Sequence, residues 1–360
     1  MMQLVFDGHN DVLLRLWERA ARGGDPVAEF IEGATRGHID LERARAGGLA
    51  GGLCAIYIPS RDLQMPRPDA AGHYAVPLPA PLEHAPSLVM ALEMAAIAFR
   101  LERTGAWTIC RSTADIRRAV EQGRFAAVLH MEGCEPIGAD LAPLETLYAA
   151  GLRSLGPVWS RSNIFGHGVP FAYPMSPDTG PGLTDAGREL VRACNRLGIL
   201  VDLAHITEKG FWDVAEITDQ PLVASHSNAH AITPVARNLT DRQLDAVRES
   251  KGVVGLNFAV SMLRDDGQDR ADTSIANMVR HIDHLVGRLG IDGVAIGSDF
   301  DGAPIPREIG SAAGLQKLVE ALRQAGYGED DLAKICRENW LRVLRTTWRE
   351  KEVQESAADA

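Results

Sequence analysis

The sequence has no excess of positive charge, no paired cysteines and no long apolar run. Its 48 acidic residues outnumber its 37 basic residues and give a net charge of −11. Nucleic-acid-binding proteins need lysine and arginine to neutralise phosphates, so this balance argues against that class. The five cysteines are odd in number, and none forms a C-x-x-C pair. This argues against a disulfide framework and against a cysteine zinc site.

Targeting signals are also missing from the sequence. The N-terminal residues lack a basic stretch followed by a long apolar stretch, so we expect no secretory signal peptide. No run approaches the roughly 18 apolar residues that a membrane span needs. We therefore expect a soluble, cytoplasmic protein without a membrane partner. The hydrophobic fraction of 46% is too high for a disordered chain and is sufficient for a large core.

Eight short apolar segments have the length and composition of buried parallel strands. They lie at 3–6, 53–58, 126–131, 154–158, 199–203, 221–225, 253–258 and 293–297. A helical pattern follows nearly every segment, for example after the candidate capping residues Thr184 and Ser274. These units predict an α/β fold, a (β/α)8 TIM barrel formed as one domain by residues 1–350, with a polar tail at 351–360. The alternative is an open doubly wound sheet, whose usual G-x-G-x-x-G marker is missing.

Two segments are predicted to be long loops over one face of the barrel. Residues 59–86 contain seven prolines, and residues 163–184 are rich in glycine and proline. Long loops in a compact domain are usually lids, binding loops or contact surfaces.

Side chains that can bind metals occur where the predicted strands end. They are His9, Asp11, Glu132, His205, His226 and Asp299. The C-terminal ends of barrel strands meet at one mouth, so we expect these six side chains to converge. Buried together they need a cation, and nitrogen and oxygen ligands suit Zn²⁺, with Mn²⁺, Fe²⁺ or Co²⁺ as alternatives. Six candidates exceed the ligands of one catalytic zinc, which favours two metals bridged by a carboxylate.

The same residues lie in motifs that follow one another in a characteristic order. The motifs are D-G-H-N-D at 7–11, A-G-G-L-A-G-G at 46–52, M-E-G at 131–133, N-R-L-G-I-L-V-D-L-A-H at 195–205, S-H-S-N-A at 225–229, R-N at 237–238 and G-S-D-F-D-G at 297–302. Together they resemble the membrane (renal) dipeptidase family, the M19 family of zinc peptidases among the amidohydrolase-like barrels. The resemblance covers roughly residues 3–345.

The resemblance implies a site with two zinc ions. His9 and Asp11 would hold one zinc. His205 and His226 would hold the second, and Glu132 would bridge the two. The implied activity is hydrolysis of the amide bond of dipeptides, including those with a C-terminal D-residue, by a metal-bridging hydroxide. The resemblance also allows a homodimer.

Other positions would handle the proton and the substrate. The resemblance implies that Asp299 is the general acid/base and that Arg237 binds the C-terminal carboxylate of the substrate, for which a planar guanidinium is well suited. We also include Asn257, near the end of the seventh predicted strand, among the candidate substrate contacts.

The chain departs from the family pattern after the fourth predicted strand. Many relatives carry L-T-H there, and this histidine would stabilise the oxyanion formed from the substrate. Here Trp159 occupies the histidine position, or Ser160 does if the alignment slips by one residue. We include Trp159 among the substrate contacts, and we consider His167 and Arg161 as replacements for the missing histidine.

Two other functions stay open on sequence alone. The first is a different binuclear amidohydrolase acting on N-acyl amino acids, lactones or phosphoesters, since a fold does not determine a substrate. The second is a metal-bound but inactive barrel that serves as a binding module. The presence of Asp299 argues against the second, because a binding module has no need for a proton shuttle.

Overall fold

The computed structural model describes residues 2–350, and the predicted tail at 351–360 lies outside these residues. The strands are β1 (Val5–Asn10), β2 (Leu49–Tyr57), β3 (Tyr74–Ala75), β4 (Trp107–Ile109), β5 (Phe125–Glu132), β6 (Leu152–Gly156), β7 (Ala172–Tyr173), β8 (Leu200–Val201), β9 (Val223–Ala224), β10 (Val253–Leu256) and β11 (Val294–Ile296). The α-helices are α1 (Val12–Ala21), α2 (Pro26–Glu32), α3 (Leu41–Gly47), α4 (His84–Thr104), α5 (Thr113–Glu121), α6 (Ala142–Ala150), α7 (Asp185–Leu197), α8 (Glu208–Ile217), α9 (Asp241–Glu249), α10 (Val260–Leu263), α11 (Ile275–Leu289), α12 (Leu315–Gln324), α13 (Glu329–Ala333) and α14 (Asn339–Thr347).

Eight parallel strands curl into a TIM-barrel-like arrangement, which confirms the predicted fold class. Their order is β1-β2-β5-β6-β8 in one sheet and β9-β10-β11 in the second. Parallel bridges between Asp202 and Val223, and between Asn10 and Phe300, join the two sheets at their seams. All eight predicted strands are present, and the open doubly wound alternative is wrong. The short strand β4, which pairs with β5, is an addition that the sequence analysis missed.

A tryptophan from α14 packs against β1 and β11 beneath the C-terminal ends of the strands. The indole of Trp340 is fully buried and donates a hydrogen bond to the carbonyl of Ile296 in β11 at 2.8 Å. A Cβ at Gly8 would lie 2.2 Å from this ring and 2.6 Å from the carbonyl oxygen of Ser225. Glycine in the D-G-H-N-D motif therefore lets β1 pass close to the ring, immediately before His9.

The helices end and begin largely as their capping residues predict. Thr184 caps α7 by accepting a hydrogen bond from the backbone N–H of Gly187. Ser274 stands at the N-cap of α11 but makes no side-chain cap bond. The apolar face of α11 is buried, as its spacing of i, i+3 and i+4 predicts.

One helix differs from the expectation that no segment could span a membrane. By length and composition alone, α4 is long and apolar enough, with 21 residues and a mean hydropathy of 1.2 in its most apolar window. About two fifths of that window, 39%, is buried, and α4 packs against α1, β2 and β4. These contacts are those of a helix in the outer layer of a barrel, so its length and composition are only a weak indication of a membrane span.

The two predicted long loops meet above the C-terminal face of the barrel. Strand β3 lies in the first loop and β7 in the second, and they pair in antiparallel fashion. Tyr74 is opposite Tyr173, and Ala75 is opposite Ala172. This small sheet was not predicted, and it ties the two loops into one structure that covers the mouth.

Candidate active site

The six predicted metal-binding side chains meet at the C-terminal face of the barrel. His9 lies near the end of β1 and Asp11 directly after it, Glu132 ends β5, and the others follow β8, β9 and β11. The side chains of His9, Asp11, Glu132, His205 and His226 are almost entirely buried. Convergence at the barrel mouth, predicted from strand position alone, is what the structure shows.

Glu132 is at the centre of this cluster. Its Oε1 atom lies 3.0 Å from His205 Nε2, 3.4 Å from His226 Nε2 and 3.7 Å from His9 Nε2. Asp11 Oδ2 lies 3.3 Å from His9 Nε2. Two of the four groups of candidate ligand atoms share Glu132, one with His9 and Asp11 and one with His205 and His226. His9 also belongs to a group with His226 and Asp299 and to one with His130 and Asp202.

The donor set fits metal ions. Nε2 of His205 and Nε2 of His226 are only 3.1 Å apart, and Nδ1 of His9 is buried without a hydrogen-bond partner among the described residues. Imidazole nitrogens and carboxylate oxygens are the ligands that Zn²⁺ and related divalent metals prefer. Such crowding of ring nitrogens around one carboxylate is typical of a site that holds cations.

Burial is the main influence on the ionisation of the cluster. It raises the pKa of Glu132 well above its usual value. Burial, together with the positive charges of Arg237 and His9, keeps the pKa values of His205 and His226 well below the usual value for histidine. Burial also acts to lower the pKa of His9, but the neighbouring carboxylates outweigh it and raise that pKa to about 10. Neutral imidazoles are the form that binds a metal, so His205 and His226 are held ready for one.

Two of the histidines are oriented by serine hydroxyls. Ser160 Oγ lies 2.8 Å from Nδ1 of His205, and Ser225 Oγ lies 2.7 Å from Nδ1 of His226. Ser225 also donates to Asp202 Oδ2 at 2.5 Å. When Nδ1 carries the proton and donates to the serine, Nε2 is left free to bind a metal. These serines were not predicted from the sequence, although Ser225 directly precedes His226 in the S-H-S-N-A motif.

Asp299 follows β11 in a left-handed backbone conformation, with φ of 59°. Its backbone N–H donates to the carbonyl of His9 at 3.0 Å, and its Oδ2 accepts from Asn257 Nδ2 at 2.9 Å. Burial raises the pKa of the Asp299 carboxyl. Asn257 itself is fully buried behind Asp299 and not in the cavity wall. The predicted substrate contact of Asn257 therefore becomes a positioning contact to Asp299.

A cavity of about 270 Å³ opens next to the cluster. The lining residues include Asp11, Tyr57, Glu132, Trp159, Phe171, His205, Arg237, Asp269, Asp299 and Asp301. Arg237 is buried, and its guanidinium donates to the carbonyl of His226 at 3.1 Å and, over 3.4 Å, to Ser227 Oγ. Within residues 2–350, no carboxylate pairs with this guanidinium, and its Nε has no partner. A buried arginine without a counter-ion is suited to bind an anionic group.

The two candidates for the position of the family histidine, Trp159 and Ser160, point in different directions after β6. Trp159 faces the cavity, with its ring centroid 5.0 Å from that of Tyr57 and 5.6 Å from that of His205. Ser160 points the other way, to His205. Neither suggested replacement lies in the cavity wall, because His167 contacts Ser162 and Arg161 forms a buried ion pair with Glu135 at 2.9 Å.

The TIM-barrel-like fold and this buried cluster of histidines and carboxylates are typical of metal-dependent hydrolases. The family model for membrane dipeptidase, peptidase family M19, matches residues 2–357 of the chain. The chain therefore belongs to the membrane dipeptidase family of metallopeptidases.

Similar solved structures agree with this assignment. A metallopeptidase from Rhodobacter sphaeroides, liganded with a phosphinate mimic of the dipeptide L-Ala-D-Ala, is 48% identical, with a TM-score of 0.91 over 97% of this chain and 100% of that one. The dipeptidase AC, a metallopeptidase of family M19, is 49% identical, with a TM-score of 0.91 over 97% of this chain and 99% of that one. An uncharacterised protein in the pqqA 5′ region of Klebsiella pneumoniae is 49% identical over 246 residues, which are 68% of this chain and 91% of that protein.

Removing the hydroxyl that orients His205 is expected to weaken metal binding. The variant Ser160→Ala should lose about ten-fold or more in zinc affinity, because second partners of metal-binding histidines typically contribute that much. Ser162→Ala is the matched control, since Ser162 makes the same contact with a histidine outside the cluster, at 3.0 Å. Zinc retained at a buffered free-zinc concentration is measured for both variants. Equal retention would show that Ser160 has no such role.

Proposed function

We propose that this metallopeptidase is a binuclear zinc dipeptidase that hydrolyses dipeptides, including those with a C-terminal D-residue. The observation that carries this proposal is the pair of ligand triads that share Glu132, with the buried and unpaired Arg237 lining the adjoining cavity. His9, Asp11 and Glu132 would hold one zinc. Glu132, His205 and His226 would hold the other.

When bound, the metals would supply an activated water and polarise the carbonyl of the scissile amide. The protein's own residues would transfer the proton and bind the substrate. Asp299, held by the amide of Asn257, would take the proton of the attacking water and pass it to the departing amine. Its raised pKa favours this task, because a general acid must hold a proton near the working pH.

Arg237 would select substrates that have a free C-terminal carboxylate. Arg237 is 4% exposed and its guanidinium lacks an acidic partner in the described part of the chain, so a substrate carboxylate would supply the missing counter-ion. Trp159 and Tyr57 would form the apolar wall beside the scissile bond. The phosphinate mimic of L-Ala-D-Ala bound to the Rhodobacter sphaeroides relative supports a D-residue at the C-terminal position.

Three further predictions stay predictions. We propose that residues 1–350 act as one catalytic domain and that the protein works in the cytoplasm. We also propose a homodimer, which sedimentation of the purified protein would test.

The proposed activity is tested by a panel of alanyl dipeptides with L–L, L–D and D–L stereochemistry. Zinc-loaded protein is expected to cleave L-Ala-D-Ala, to lose this activity on chelation and to regain it with zinc. Elemental analysis is expected to find two zinc ions per chain. A protein that holds two metals but cleaves no dipeptide would instead be an amidohydrolase for another amide or ester.

Asp299→Asn is expected to retain the metals but to lose at least about 100-fold in kcat, because general acid–base catalysis typically contributes 10²–10⁴-fold. Steady-state kinetics on L-Ala-D-Ala and the zinc content of the variant are measured together. Turnover within a few-fold of the unsubstituted protein would rule out the acid/base role. Loss of zinc would instead assign Asp299 to the metal site.

Arg237→Ala is expected to raise KM for L-Ala-D-Ala by about 10- to 100-fold, since a charged hydrogen bond is typically worth about 1.5–3 kcal/mol. The amide L-Ala-D-Ala-NH₂ offers no carboxylate, so its kcat/KM should change little. Arg237→Lys keeps the charge without the planar fork and should be intermediate. Equal losses on the acid and on the amide would refute the carboxylate contact.

A further inference from the structure

A third loop is fastened to the two that cover the cavity. The segment at 264–274 follows α10, and Gln268 Nε2 donates to the carbonyl of Gly72 at 2.8 Å. The hydroxyl of Tyr74 in β3 donates to the carbonyl of Gly267 at 2.8 Å. The two residues before Asp269 are therefore held against the first loop, and Asp269 lines the cavity.

Asp269 is the acidic residue in this loop that has no partner. Arg264 pairs with Asp266 at 2.6 Å, and Arg270 pairs with Asp272 at 2.8 Å. Among residues 2–350, no basic side chain pairs with Asp269 and no hydrogen-bond donor contacts its carboxylate. Arg264 and Arg270, the arginines nearest to Asp269 in the sequence, therefore form ion pairs with other aspartates.

The other acidic residues that line the cavity all have partners. Asp11 and Glu132 belong to the metal triads. Asp299 accepts from Asn257 at 2.9 Å, and Asp301 accepts from Arg15 at 3.0 Å.

Asp269 stands apart from this set. It is an exposed residue at the cavity rim, where desolvation by its neighbours raises the pKa of its carboxyl and no cation offsets that effect.

We propose that Asp269 binds an ammonium group of the substrate and thereby determines which dipeptides are accepted. This inference rests on the proposed dipeptidase function. The cavity would then offer an unpaired cation, Arg237, and an unpaired anion, Asp269, to one ligand. A dipeptide carries the complementary pair, a carboxylate at one end and an ammonium at the other. A lysine side chain in the first residue would present the same chemistry as the α-ammonium.

The test compares Asp269→Asn with Asp272→Asn in the zinc-loaded protein. Asp272 is in the same loop and loses the same charge, but it pairs with arginines and does not line the cavity. Affinity is measured calorimetrically for the phosphinate mimic of L-Ala-D-Ala and for its N-acetyl derivative. The kcat/KM values for L-Lys-D-Ala and L-Leu-D-Ala form the second arm.

If Asp269 binds the α-ammonium, Asp269→Asn should lower the affinity for the free-amine mimic by about ten-fold. The affinity for the N-acetyl mimic should stay unchanged. If it binds a side-chain ammonium, only the kcat/KM for L-Lys-D-Ala should fall, by a similar factor. Asp272→Asn should match the unsubstituted protein in both arms. Equal values for both variants in all assays would overturn the role of Asp269.

The same assays distinguish failure of the dipeptidase function from failure of the role proposed for Asp269. Unsubstituted protein that cleaves no dipeptide but binds the free-amine mimic through Asp269 would support the ammonium site and reject the activity. Unsubstituted protein that neither cleaves nor binds would overturn both.

Discussion

The site depends on the burial of one carboxylate among three imidazoles. Glu132 Oε1 has ring nitrogens of His9, His205 and His226 within 3.0–3.7 Å, and almost none of this cluster is exposed to solvent. Two of these histidines are held neutral by burial, yet their Nε2 atoms lie 3.1 Å apart. Two lone pairs cannot face each other at that distance without a shared proton or cation. A bound metal would remove this conflict, so the geometry of the barrel mouth favours metal binding.

Residues around the cluster orient its histidines for metal binding. A neutral histidine binds a metal through Nε2 when Nδ1 holds the proton, and the hydroxyls of Ser160 and Ser225 are placed to accept a hydrogen bond from that N–H. Asp202 in turn accepts from Ser225, which orients the hydroxyl. Gly8 allows β1 to pass over Trp340 and so places His9 beside the others. These four residues thus lie outside the cluster but determine the orientation or the position of its histidines.

The sequence predicted the strands and the ligands because both are local patterns. Each ligand stands at the end of an apolar segment, and barrel geometry brings such ends together. The pairing of β3 with β7 could not be predicted, since it joins Tyr74 to Tyr173 across about 100 residues of low regularity. The choice between Trp159 and Ser160 also needed the structure, because a one-residue slip in an extended segment exchanges the faces of neighbouring side chains. The contact of Asn257 with Asp299 also could not be predicted, because no sequence motif indicates it.

The location of each group suggests a division of labour between the barrel and its loops. The ligands lie at strand ends, where the barrel holds them rigidly, and they define the chemistry that all substrates share. Arg237 and Asp269 lie on loops, where the chain can change without disturbing the strands. Asp269 owes its position to contacts of Gln268 with Gly72 and of Tyr74 with Gly267, none of which involves the metal cluster. With the roles proposed for Arg237 and Asp269, selection of the substrate and activation of water would depend on separate sets of contacts, so substitutions that change one would leave the other intact.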